Sequence, residues 1–486
     1  MSRDLSTSLG GYRKVRRFAL VPVVCLALVA AACGASGDEP ADPEASTTTA
    51  AGTSDQSSAS AFGDLDELCG PGDFSVAEGE AGARGGDQLR IGIATDRAST
   101  VRPGLNKEMW DASIAFVDWC NEQGGVGGLQ IDPIELSGSL FDVEAAMTTA
   151  CADVFAMVGG GFAQDNLEFS GKDGSDFHRC EMIDIPAYAV SPEKADSNGQ
   201  VQPVPNPGTT MANTWIRDFV ELFPEAGEKA VVVYGELPAL EQIKDSYVTM
   251  LDELEIPLEG TFPYQVIGVS DWTPLARRVM DTGATTMLFV GEPANATALT
   301  ASLTQQGWEG RPLFETNMYD QQIFAQGAEA VEGSVIRMTS VPLEEADRSP
   351  ATQGYLDLLA SVDDGKVGLL GLQSMSAWLL FVTAANACGE ANDGVLDRTC
   401  ILEQAAEQED WTGGGLHGPT DPARQGEAVT SSCGLLVIAK DGKFERLYPE
   451  LGGDGDDVDG FHCPDNGVSR IPDNEGKAIV DPDRPI

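Results

Sequence analysis

The sequence predicts an α/β fold of two Rossmann-like lobes with mainly parallel sheets, joined by a three-segment hinge. Three observations carry this reading. Residues 88–137 read as strand, helix and strand, a βαβ unit with a right-handed crossover and parallel strands. The alternation of apolar runs with amphipathic stretches breaks off at residues 201–205 and restarts at Thr209. After residue 341 two long helical stretches return the chain to its first half before it closes on a hairpin. At 486 residues the chain exceeds one compact core. Residues 88–205 with 342–430 are expected to form the first lobe, and 206–341 with 431–450 the second.

Residues 89–94 form a short β-rich apolar run, the first strand. The loop 95–104 leads into a helix over 106–122, where Met109, Ala112, Phe116 and Trp119 share one face. Asn106 is expected to cap this helix, and Gly124 to end it because glycine accepts the left-handed conformation. A strand over 129–136 follows. Asp142 is expected to cap a helix to residue 154. A strand over 155–159 ends in Gly159-Gly160-Gly161, and another spans 182–190. In the second lobe, helices over 211–223, 240–254, 271–282 and 294–306 alternate with strands over 230–234, 260–265, 285–290 and 312–316. Residues 333–341 make a further strand and the second crossing. Helices over 373–388 and 397–407 precede the hairpin of residues 434–447, with Asp441-Gly442 at its turn. Ligands of parallel sheets meet the loops at strand C-termini, so the strand ends of both lobes are expected to face one cleft.

Residues 1–32 read as an export signal: Arg13, Lys14, Arg16 and Arg17 precede 15 apolar residues, too few to span a membrane. The small residues before Cys33 resemble a bacterial lipobox, with Ala30 where leucine is usual. That resemblance implies cleavage before Cys33, diacylglycerol on its thiol and attachment to the outer face of the cell membrane. An ordinary secretory signal is the alternative. Residues 33–87, rich in Ser, Thr, Gly and acids, are expected to be a disordered linker, and 451–486 an acidic tail. The net charge is −47, and the signal is itself basic, so the exported part is more acidic still. Nucleic acid is thereby excluded as a partner, because phosphate binding needs clustered Lys and Arg.

Outside the signal and the anchor, eight cysteines remain: Cys69, Cys120, Cys151, Cys180, Cys388, Cys400, Cys433 and Cys463. An even count in an exported chain reads as disulfides, and sequential pairing is the expectation. Zinc is the alternative, but no CxxC occurs and only His178, His417 and His462 are available. No cofactor is expected. Gly413-Gly-Gly-Leu-His-Gly418 matches a dinucleotide fingerprint in spelling but follows no strand, so it reads as a flexible loop. Asp454-Gly-Asp-Asp-Val-Asp-Gly460 has its glycine misplaced for a calcium loop and reads as solvated acid.

The arrangement resembles the type I periplasmic binding proteins, specifically the branched-chain amino acid (Leu/Ile/Val) solute-binding family of ABC importers. The residues that carry the resemblance are the opening strand, Pro103-Gly104, Asn121-Glu-Gln-Gly-Gly-Val126, Gly159-Gly-Gly161, Ile185-Pro186-Ala187, Asp271-Trp-Thr-Pro-Leu275 and Gln305-Gln-Gly-Trp308. Together they cover about residues 88–448. The resemblance implies a monomeric, non-catalytic receptor that closes on an amino acid or similar small polar solute and passes it to ABC permease subunits. It implies that backbone amides and hydroxyls around Phe162, Ala163, Gln164, Tyr188, Ala189 and Ser191 hold the ligand carboxylate. It places Glu292, Asn317, Tyr319 and Asp320 in the second lobe's half of the site. The chain departs from the family in having Gln164 where a small hydroxyl residue is usual, which keeps an amide or a peptide open as ligand. Arg97 and Arg102 could instead bind an anionic group. Two rivals stand beside transport: a sensor subunit for a signalling partner, and an extracellular hydrolase. The hydrolase finds no GxSxG or HExxH to support it.

Overall fold

The computed structural model describes residues 61–80, 88–166, 176–424, 426–478, 480–484 and 486. The expected export signal, Cys33 and most of the expected linker lie outside these residues.

The first lobe is built on four parallel strands, in the spatial order Gln130–Ser137, Gln88–Thr95, Ala156–Val158 and Asp184–Ile185. One face of this sheet packs on helices Lys107–Gln123 and Leu369–Ala391, and the other on Val143–Asp153. Leu369–Ala391 is long and apolar enough to cross a membrane, but it is the buried core helix of this lobe. Trp378, fully buried, stacks on Phe116 at 5.4 Å and donates its indole N–H to Ser113 Oγ at 2.8 Å. Gly159 has φ +70, and a Cβ there would stand 2.4 Å from the Trp378 nitrogen, so glycine is required on both counts.

The second lobe carries a seven-stranded sheet. Strands Leu258–Tyr264, Ala230–Gly235, Thr286–Val290, Arg311–Phe314 and Val335–Met338 are parallel neighbours in that order. The hairpin Leu435–Lys440 and Lys443–Tyr448 adds antiparallel to its edge. Its turn residues Asp441 and Gly442 both have positive φ, as a tight hairpin turn demands.

Three crossings join the lobes and hydrogen-bond to one another. Thr420 Oγ1 donates to Pro203 O at 2.7 Å, and Gly418 N donates to Thr339 O at 3.1 Å. The stretch Gly413 to Gly418, expected as a flexible loop, belongs to this hinge. Ser340 pairs with His417, whose ring Nε2 lies 2.8 Å from Ser376 Oγ. The acidic C-terminal segment makes a fourth crossing. Val468–Arg470 pairs antiparallel with Thr210–Ala212 on the second-lobe side. Further on, Arg484 donates to Met182 O, Asp481 N to Asn198 Oδ1, and Ile486 is buried in the first lobe's core.

Several local expectations are corrected. Asn106 sits at the helix start in the left-handed region, φ 55, and makes no side-chain cap; its amide donates to Tyr188 Oη at 2.8 Å instead. Asp142 likewise makes no side-chain cap. Met211 lies in a strand, and the helix begins at Thr214, because Val468–Arg470 supplies a pairing partner from the far end of the chain. The strand expected over 182–190 pairs only at Asp184–Ile185, because the chain then turns into the cleft. A helix not anticipated, Pro350–Leu359, packs on the first lobe. Residues 61–80, expected within the linker, are folded. Phe62 and Leu68 are buried, and Ser75–Val76 pairs with Val395–Leu396. The cysteines are bonded sequentially: Cys69 to Cys120, Cys151 to Cys180, Cys388 to Cys400 and Cys433 to Cys463.

Candidate functional site

Between the lobes lies a cleft of about 250 Å³. The first lobe lines it with Arg102, Leu140, Ala163 and Ala187 to Val190, each just beyond the C-terminal end of a strand. The second lobe lines it with Leu237, Val266, Gly291, Glu292, Glu315 to Asn317 and Thr339, placed in the same way. Parallel strands followed by short connections put these loops at one edge of each sheet, and the hinge turns the two edges together.

Of the residues expected in the site, Arg102, Ala163, Tyr188, Ala189, Glu292 and Asn317 meet at this cleft. The others do not line it. Phe162 is buried in the core behind its own loop. Gln164 turns its amide to Leu140 O at 2.7 Å. Ser191 is fully buried, and its hydroxyl accepts from Lys194 N to cap a single helical turn. Tyr319 is swung inward by the turn Thr316–Met318; its ring packs on Phe444 at 4.5 Å and its hydroxyl bonds Glu344. Asp320 is buried against Lys366 Nζ at 2.8 Å. Arg97, offered as an anion binder, pairs with Glu135 at 2.6 Å and lies over Trp110.

Sequence reasoning missed the apolar wall made by Leu237, Leu240, Ile243 and Val266, as well as Tyr264, Glu315 and Arg337. Leu237 and Leu240 follow a strand end, and that position was the available signal. It also missed two buried carboxylates behind the first lobe's wall. Asp96 accepts from Leu140 N at 2.6 Å and Ala163 N at 2.7 Å. Asp165 accepts from Val190 N at 2.6 Å and Ser191 N at 2.9 Å. Burial raises the pKa of both, Asp165 to about 6, against the opposing pull of those amide N–H groups.

The two guanidinium groups in the cleft are each paired. Arg102 reaches from the first lobe to Glu292 of the second and donates to Val266 O at 3.4 Å. Arg337 pairs with Glu315, which also accepts from Tyr247 Oη. Further ties between the lobes are Gln242 to Glu193 at 2.9 Å and Lys366 to Asp320. Lys366 also holds Glu108 at 2.8 Å. Among the described residues no group of three or more His, Cys, Asp and Glu side chains is arranged to hold a metal.

A receptor-like cleft between hinged α/β lobes defines a class, and the sequence comparison agrees with it. The periplasmic binding protein family matches residues 88–443. The chain belongs to that family and has the type I periplasmic binding protein fold. Among solved structures, a fatty acid ABC transporter substrate-binding protein from Thermomonospora curvata is similar at TM-score 0.61 and 16% identity. That match covers 81% of this chain and 99% of that one. The leucine-binding protein LivK of Thermotoga maritima matches at TM-score 0.59 and 14% identity, over 74% and 98% of the two chains. The branched-chain amino acid transporter substrate-binding protein LivJ of Streptococcus pneumoniae, solved with isoleucine, matches at 0.58 and 14%, over 74% and 100%. No curated protein matches the chain by sequence.

Proposed function

We propose that the protein is the extracytoplasmic, lipid-anchored solute receptor of an ABC importer, capturing a small solute between its lobes by hinge closure. The observation that carries the reading is the cavity of about 250 Å³, walled by strand ends of both lobes and spanned by hydrogen-bonded crossings. A ligand that touches both walls does so only when the lobes are together, so it shifts the hinge toward the closed state. Family membership supports the reading, as do the neighbours' printed ligands, which share an aliphatic chain that the leucines, valines and isoleucine of this cleft would suit. The receptor presents the solute to permease subunits, works as a monomer and performs no chemistry on its ligand.

A thermal-shift screen of the exported part, freed of its lipid, against amino acids, amides, small acids and neutral aliphatic solutes tests this. Stabilisation without chemical change in the recovered solute is expected. A solute converted to product, or no stabilising solute at all, would contradict the receptor. For the anchor, Cys33→Ser is expected to release the protein from membranes; retention of the lipid label by that variant would count against the assignment.

A further inference from the structure

We infer that the solute is uncharged where it contacts the protein: an aliphatic body carrying a neutral hydrogen-bonding group, such as a primary amide, rather than a free amino acid. The inference rests on the receptor reading and narrows it. A buried carboxylate is held best by cationic and backbone N–H donors free of other anions, and the cleft has engaged both of its guanidinium groups and three of its wall amides. The amides of Leu140, Ala163 and Val190, all residues of the cleft wall, already donate to Asp96 and Asp165. Neither aspartate lines the cleft; Asp96 is fully buried and Asp165 is 3% exposed, so each is a fixed internal acceptor for those wall amides. The guanidinium groups of Arg102 and Arg337 face Glu292 and Glu315. An ammonium group fares no better, because those same two glutamates, the only acids lining the cleft among the described residues, already hold the arginines.

A zwitterion entering this space would lose its water and find every complementary charge taken. Burying an unpaired ion costs several kcal/mol, more than a side chain of leucine size gains by burial. The groups left without partners are neutral. The hydroxyls of Thr316 and Thr339 are buried, line the cleft and have no hydrogen-bond partner within the described residues. A turn of either side chain about its Cα–Cβ bond brings the hydroxyl to a ligand carbonyl or amide, which satisfies it without a charge. Around them the lining is mostly aliphatic: Leu140, Val190, Leu237, Leu240, Ile243 and Val266. The net charge of −47 further disfavours an anionic solute by lowering its concentration near the surface.

A matched series with one aliphatic body tests this: leucine as zwitterion, 4-methylpentanoate as anion, 3-methylbutylamine as cation and 4-methylpentanamide as neutral amide. The amide is expected to raise the melting temperature of the full exported chain by about 2 °C or more at saturation, and the other three by less. A larger shift with leucine, the anion or the amine would overturn the inference and leave the receptor reading standing. Should none of the four act, the charge of whichever solute the wider screen finds decides: a neutral one supports the inference and a charged one overturns it. A screen with no binder removes the receptor reading and the inference together. Glu292→Gln provides a second arm. It leaves the Arg102 guanidinium without its anion, so 4-methylpentanoate is expected to bind this variant about tenfold or more tighter than wild type. No gain would show that Glu292 does not hold the arginine from ligands.

Discussion

Asp165 and His417 titrate in the same pH range with opposite effects. Burial pushes the Asp165 carboxyl from 3.8 up to about 6, against the pull of the Val190 and Ser191 amides. Its folded pKa exceeds its unfolded one. Its contribution to stability is therefore complete below about pH 3.8 and lost as pH rises through 6, a swing of roughly 3 kcal/mol. Burial lowers the His417 imidazole from 6.5 to about 4, so its contribution is complete above pH 6.5 and lost as pH falls through 4. The two nearly offset each other in the wild type, and single variants separate them. Between pH 6.5 and 4, urea unfolding is expected to show wild type gaining on Asp165→Asn and losing to His417→Gln. Curves that stay parallel across that range would contradict the assignment. At this scale the sequence was half informative. The family resemblance, applied at the strand ends, pointed to Ala163, Tyr188, Ala189, Glu292 and Asn317, which line the cleft. It could not tell that the next turn rotates Tyr319 into the second lobe's core, nor that Asp96 and Asp165 turn inward to hold the wall. Both outcomes depend on local dihedrals and on groups brought near only by folding.

Among the elements, Leu369–Ala391 positions the first lobe. It packs along Lys107–Gln123, and its Trp378 reaches over Gly159, at the glycine turn that leads to the cleft wall at Ala163. Trp378→Ala is expected to cost about 3–5 kcal/mol, read as a lower urea midpoint with an unchanged slope, because it leaves a cavity beside Phe116 and removes one of the hydrogen bonds to Ser113 Oγ. A loss below about 1 kcal/mol would mean the ring is not buried as described. The long local elements were legible: the apolar run of this helix, the βαβ unit and the Asp441-Gly442 hairpin all follow from neighbouring residues. What failed was short and non-local. Thr210–Ala212 is a strand because Val468–Arg470 lies beside it, and no periodicity within residues 209–223 contains that partner. The reading of 182–190 as one strand failed for a related reason. An apolar run entering a cleft looks like one entering a sheet.

Over the whole molecule, three crossings hinge the lobes and the C-terminal segment straps across them. Composition alone marked residues 451–486 as an acidic tail. In place, Cys463 is bonded to Cys433, Asn474 donates to Gly208 O at 2.7 Å, and the last residue lies in the first lobe's core. Isolated buried residues in a polar stretch, such as Ile471 and Ile486, give no periodic signal. Deleting residues 477–486 is expected to destabilise the protein by about 2–3 kcal/mol, from loss of the Ile486 side chain's burial and its neighbours' hydrogen bonds. A urea midpoint equal to that of the full chain would contradict the strap. The central claim is that one solute is gripped by both lobes at once. Hydrogen exchange with and without the most stabilising solute of the screen tests it most directly. Slowed exchange is expected at Ala187 to Val190 of the first lobe and at Gly291 to Asn317 of the second together. Protection confined to one lobe, or to a surface away from the cleft, would contradict it.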